Sequence, residues 1–155
     1  MLQRLLSPSW LYRACAVVFF LYALGHTVGF LSFSAPTGAG RAVFADMTAV
    51  SFDVEGRRFS YGDFYQGFGL MITVYKLFCA FIAFHLGHLA ANGKAGVRGL
   101  GWAMTVLQCS GLVLCLRYFG TPPAALSALL VLMLAAATVR AKPVEAAGIA
   151  AASQA

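Results

Sequence analysis

Apolar residues fill four long stretches of the chain, and the polar positions gather between them. The stretches run about Leu11 to Phe33, Phe64 to Ala90, Gly99 to Phe119 and Pro122 to Val139. Each is close to or above the ~20 mostly apolar residues that carry a helix across a bilayer. None alternates between apolar and polar positions, as a half-lipid-exposed strand would. Within lipid, only helices and closed barrels satisfy their own backbone, and a barrel needs at least ~8 short alternating segments. The pattern predicts an all-α membrane four-helix bundle over residues 1–142, followed by a loose Ala-rich tail over 143–155.

The breaks between the stretches have their own chemistry. Ser7-Pro8-Ser9 interrupts the chain ahead of the first helix, and the run from Ser34 to Gly40 ends it. Ser60 and Asp63 are spaced as a capping box that opens the second helix. Asn92-Gly93 closes that helix, and Gly120-Thr121-Pro122-Pro123 makes a tight connection. Helices three and four are therefore expected as antiparallel neighbours, with no obvious polar glue between their Ala- and Leu-rich faces. The long connection from Ser34 to Asp63 contains an alternating stretch at 50–54, turn residues at 55–57 and a second extended stretch at 59–61. This pattern predicts a small β-hairpin, preceded by a short surface helix over Ala42–Val50. The first apolar run exceeds the usual 7–15 residues of a signal-peptide core. It is expected to remain as a span.

Composition strengthens the membrane reading. Of 155 residues, 61% are apolar and only 10% are charged, and mean hydropathy is +0.80. A water-facing domain carries about 25% charged residues. The net charge of +6 reflects topology more than partner choice. Arg4, Arg13, Lys94, Arg98, Arg140 and Lys142 flank the side holding both termini and the second loop. Arg41, Arg57, Arg58 and Arg117 flank the other side, where they meet Asp46, Asp53, Glu55 and Asp63. The excess of positive charge places both termini in the cytoplasm and the hairpin loop outside. Nucleic-acid binding would need a basic stripe on a soluble surface, and the sequence has none.

Lys76 is the costliest residue. It lies 12 residues into the second run, about 18 Å below the outer surface. An ionisable side chain at such depth costs at least ~3 kcal/mol on insertion scales. Helical side chains lean toward their own N-terminus, so the ammonium should rise to the level of His26 in the first helix. Tyr22 stands one turn from His26, Thr73 shares a face with Lys76, and Gln108 lies about 16 Å deep in the third helix. These five residues are candidates to line one polar, ligand-binding cavity in the outer half. The alternative reading of His26 is a neutral imidazole that donates to a neighbouring helix carbonyl. Gly25 and Gly29 form a GxxxG step, and the second helix begins with Gly67-x-Gly69; together they predict a close crossing of helices one and two in the outer half that would bring His26 near Gly69 and Thr73.

His85 and His88 fall at the inner interface with no carboxylate to complete a metal site. No metal or cofactor is expected. Cys15, Cys79, Cys109 and Cys115 include no CxxC pair and read as small apolar residues inside spans. A quinone-linked thiol oxidoreductase is thereby disfavoured, and a small proton-coupled exporter is disfavoured by the lack of an intramembrane carboxylate.

Two strings stand together: Gly25-His26-x-x-Gly29 in the first helix, and Ser60-Tyr61-Gly62-Asp63-Phe64-Tyr65-Gln66-Gly67-Phe68-Gly69-Leu70 opening the second. The pairing resembles a family of small bacterial four-span membrane proteins of unassigned activity, and the gross shape is similar to the DoxX-like membrane proteins. The resemblance covers about the first 90 residues. It implies a four-helix bundle in a bacterial inner membrane, no particular reaction and no catalytic residue to carry over. Lys76 lies outside both strings.

Two functional readings follow. In the first, the protein binds a small amphiphile, a lipid or a partner subunit through its outer half. In the second, it is a membrane-embedded enzyme acting on a lipid-like or quinone-like molecule. There His26 would move a proton, Lys76 would hold an oxygen, and Gln108 and Tyr22 would orient it. A channel or transporter component is weaker, because no charged path crosses the inner half.

Overall fold

The computed structural model describes residues 6–141, so the tail predicted over 143–155 lies outside the described residues. The fold is all-α with one small hairpin. Among the described residues, five helices and two strands follow in the order α1 (Pro8–Leu31), α2 (Gly38–Ala49), β1 (Ser51–Val54), β2 (Arg57–Ser60), α3 (Tyr61–Ala91), α4 (Val97–Tyr118) and α5 (Thr121–Arg140). α1, α3, α4 and α5 are each long and apolar enough to cross a membrane, and no more than 33% of any span is buried. The remaining faces expose side chains such as Phe20, Leu24, Phe68, Phe78, Val113 and Leu132. A helix with apolar residues all round, and few of them covered, suits a hydrocarbon solvent.

The helix boundaries follow local chemistry that the hydrophobic runs hide. α1 starts three residues before the predicted Leu11, because a proline is accommodated in a helix's first turn, where its missing N–H costs nothing. The Ser7 hydroxyl accepts from the Trp10 amide at 3.3 Å. α2 starts at Gly38 rather than Ala42, since Thr37 caps it by accepting from the Gly40 amide at 3.0 Å. The predicted stop from Ser34 to Gly40 is therefore part linker and part helix.

β1 and β2 pair antiparallel with Phe52 opposite Phe59 and Asp53 opposite Arg58. The turn is only Glu55-Gly56, both at positive φ (51° and 77°). Positive φ at both central positions is the type I′ geometry that matches strand twist, and Gly56 adopts it without steric penalty. The predicted capping box is formed: Ser60 N–H and its hydroxyl both donate to the Asp63 carboxylate, at 2.7 and 2.8 Å, and the Asp63 amide donates to Ser60 Oγ at 3.0 Å.

α3 has 31 residues, about 46 Å of helix against ~30 Å of hydrocarbon. The excess length leaves room for the first turn, with Asp63, to lie beyond the hydrocarbon. The two Ser60 donors hold the Asp63 carboxyl below its ordinary range. Its contribution is complete above the usual carboxylate pKa and fades as pH falls through the lowered folded value. Ser60→Ala removes one donor to the carboxylate and the acceptor for the Asp63 amide. The first turn of α3 should then exchange its amide hydrogens faster at neutral pH, and acidification should do the same to the unmodified chain. Unchanged exchange in both cases would show that the cap is idle.

The chain divides into two compact units. One combines the residues up to Phe20 with those from Phe78 onward, and the other is Leu21–Leu77. In the first unit, α4 and α5 pack as an antiparallel pair joined by Phe119-Gly120. Contrary to the expectation of a purely apolar pairing, Cys115 Sγ lies 3.5 Å from Ser127 Oγ between them. A second polar tie joins α1 to α5: Tyr12 and Thr138, both fully buried, lie 2.9 Å apart through their hydroxyls. Thr138 spends its proton on the Leu134 carbonyl (2.7 Å), so Tyr12 is the donor. Leu86, Leu130 and Leu134 complete the apolar core of this unit. In the Leu21–Leu77 unit, aromatic rings replace aliphatic packing. Phe52 contacts Tyr61 and Phe64 (centroids 4.9 and 5.2 Å), fastening the hairpin to the start of α3.

Candidate functional site

Within Leu21–Leu77, α1 and α3 meet along a polar seam. His26 Nε2 lies 3.0 Å from the Gly69 carbonyl. A carbonyl only accepts, so Nε2 carries the proton. One turn further into α3, Thr73 lies 2.8 Å from Thr27. Thr27 gives its own proton to the Ala23 carbonyl at 2.8 Å, which makes Thr73 the donor of the pair. Next along the seam, the Lys76 ammonium stands over the Tyr22 ring at 4.6 Å and near the Tyr75 ring at 5.2 Å. Lys76 is only 4% exposed. Aromatic faces carry negative charge density, so they offset part of the cost of a deeply placed cation.

Four of the sequence candidates, Tyr22, His26, Thr73 and Lys76, thus fall in successive contacts along one seam. Lys76 meets Tyr22 there, and the geometry of His26 is the donation to a helix carbonyl described above as its alternative reading. Gln108 sits on α4 in the other unit, 1% exposed. The close approach of α1 and α3 uses Gly69 of the expected small-residue pairing and not the Gly25–Gly29 step. A Cβ on Gly25 or Gly29 would meet nothing within 4 Å. At Gly69, by contrast, an added Cβ would overlap the Phe30 ring. The small residue that matters lies on α3, and the large one that fills its space lies on α1.

The Phe30 ring stacks beside His26 (centroids 5.7 Å) and touches Tyr65 (5.3 Å), which in turn meets Phe44 edge-on at 5.5 Å. This chain of rings leads from the seam to a cleft of 250 Å³ at the hairpin end of the unit. Phe30, Phe44, Met47 and Tyr65 give the cleft an apolar wall, while Thr48, Asp63 and Gln66 give it a polar one. Sequence reasoning missed it because its walls come from α1, α2 and the start of α3. The density of aromatic residues between Phe59 and Phe68 was little guide, because only Tyr65 among them lines the cleft.

Elsewhere the histidines of α3 are occupied locally. His85 stacks on Phe81 (6.3 Å), and His88 Nε2 lies 3.2 Å from the Asn92 side-chain amide. Among the described residues, no group of three His, Cys, Asp or Glu side chains is placed to hold a metal ion.

No family model matches the chain, and no curated protein or solved structure matches it with significance.

Proposed function

We propose that this membrane protein binds a small amphiphile through the hairpin-side half of Leu21–Leu77. The observation that carries the reading is the cleft beside α2 and the first turns of α3. An apolar wall of Phe30, Phe44 and Tyr65 faces polar groups from Thr48, Asp63 and Gln66. Ligand sites are commonly concave and mostly apolar, with a few polar groups to fix orientation. Polar tips at the rim and rings below suit a molecule with a short hydrogen-bonding head and a greasy body. His26 supports this arrangement by fixing the Gly69 carbonyl and stacking on Phe30.

The placement that goes with this reading is a bacterial inner membrane, both termini cytoplasmic and the hairpin outside. It rests on the excess of Lys and Arg flanking the termini side and on the resemblance carried by the strings around His26 and Asp63. The cleft then opens toward the outer leaflet.

A photoreactive alkyl amide incubated with the detergent-solubilised protein tests the idea. Crosslinks should concentrate on peptides covering 44–48 and 62–66, and Thr48→Trp, which fills the cleft, should lower that labelling several-fold. Equal labelling of the exposed faces at Phe78, Phe81 and Phe84 in both proteins would overturn the proposal.

A further inference from the structure

The unit formed by the residues up to Phe20 and from Phe78 onward contains a second concavity, unrelated to the seam or the aromatic cleft. Its 300 Å³ are lined by Pro8 of α1, Ala90 and Ala91 of α3, Gly93 and Lys94 of the connecting loop, Val97 of α4, and Arg140 with Ala141 at the end of α5. Two cations therefore stand at the rim of a largely apolar cleft. Arg13 and Arg98 belong to the same unit. Among its described residues there is no aspartate or glutamate. All four described acids, Asp46, Asp53, Glu55 and Asp63, lie in Leu21–Leu77. No protein carboxylate in this unit's described residues is available to neutralise Lys94 and Arg140.

The backbone adds to the same field. α4 begins at Val97, inside the cleft, and its N-cap is Gly96, which has no side chain to cap the first amides. The first turn of a helix offers unsatisfied N–H groups and a positive dipole end, both favourable to an anion. Arg140 leans one N–H on the Ala136 carbonyl at 3.4 Å, which leaves the remainder of its guanidinium fork for another acceptor. Ala90, Ala91 and Val97 supply an apolar floor beneath these donors.

We propose that this cleft binds a phosphate-bearing anionic group, with Lys94 and Arg140 as its two cationic ligands and the α4 N-terminus beneath. Its position at the ends of four apolar spans matches the depth of a phospholipid headgroup, whose acyl chains would lie along the exposed helix faces. A free phosphate offers the same chemistry to the donors. Basic pockets between transmembrane helices are a recurrent means of holding anionic lipid heads.

The test uses the full chain in a mild detergent. Native mass spectrometry with added phosphatidylglycerol or phosphatidylcholine should show adducts strongly favouring phosphatidylglycerol. Lys94→Gln with Arg140→Gln should reduce that adduct by about fivefold for each charge removed. Arg117→Gln, at the other end of α4, should leave it unchanged. Both positions are exposed, so circular dichroism should show the same helix content in every variant. Thermal stabilisation by phosphatidylglycerol alone assigns the site to a lipid headgroup. Equal stabilisation by inorganic phosphate assigns it to the bare anion, and either result supports the cleft. Equal adducts with both lipids, or undiminished phosphatidylglycerol binding in the double variant, would overturn it.

Discussion

Gly101→Ala should destabilise the protein by about 2–4 kcal/mol, against the usual sign for such an exchange in a helix. Alanine is the better helix former by ~1 kcal/mol, so an unconstrained position would gain from the change. Gly101 is constrained. A Cβ there would overlap the hydroxyl oxygen of Tyr12 and Oγ1 of Thr138, and would stand 3.2 Å from Thr138 Cγ2. Both partners are fully buried, and they are tied to one another at 2.9 Å. The methyl must displace one of them and break that hydrogen bond. Gly99 and Gly111 on the same helix have nothing within 4 Å and serve as controls, expected neutral or slightly stabilising as alanine. Chemical or thermal unfolding in detergent micelles measures all three. Tyr12→Phe removes one of the overlapping atoms, so Gly101→Ala in that background should cost less than half as much. Additive losses would show that Tyr12 and Gly101 do not share the space.

Lys76→Glu should be the most damaging single change in the seam, lowering stability by at least ~3 kcal/mol. The ammonium faces the Tyr22 and Tyr75 rings at 4.6 and 5.2 Å, and a carboxylate there would meet the same negative faces with the wrong sign. It lies 15 residues from the start of α3, about 22 Å along the helix, where water cannot readily compensate. Lys76→Arg keeps a cation against the rings and should retain most of the stability. Tyr22→Leu should cost about 0.5–2 kcal/mol, and Tyr22→Phe less, because phenylalanine retains the face and leucine does not. Thermal stability and the folded fraction on size-exclusion chromatography read these effects. If Lys76→Glu matches Lys76→Arg, the cation is not held by the rings.

The sequence showed the four spans clearly because an apolar run of helix-spanning length has few alternative uses. It also showed the hairpin and the Ser60–Asp63 cap, since both depend on residues close together in the chain. Contacts set by helix rotation were less legible. The Gly25–Gly29 spacing identifies small residues but not the direction they face, and both turned out to border open space. Gly69, inside the string that opens the second helix, and Gly101, in no recognisable motif, accept the close approaches instead. Cys115 and Ser127 likewise looked apolar or incidental until α4 and α5 were seen side by side. In the candidate site, Lys76 was conspicuous by its cost, yet its aromatic partners could not be chosen from depth alone. The cleft was invisible because no single segment contains enough of it.

The two-residue tip at Glu55-Gly56 has a practical consequence. It projects polar backbone beyond a hairpin anchored at its far end by Phe52, Tyr61 and Phe64. Such tips are where proteins best accept foreign residues. A short antibody epitope carried there would report the sidedness of this segment in intact cells, while the anchoring rings kept the insertion from propagating into the spans.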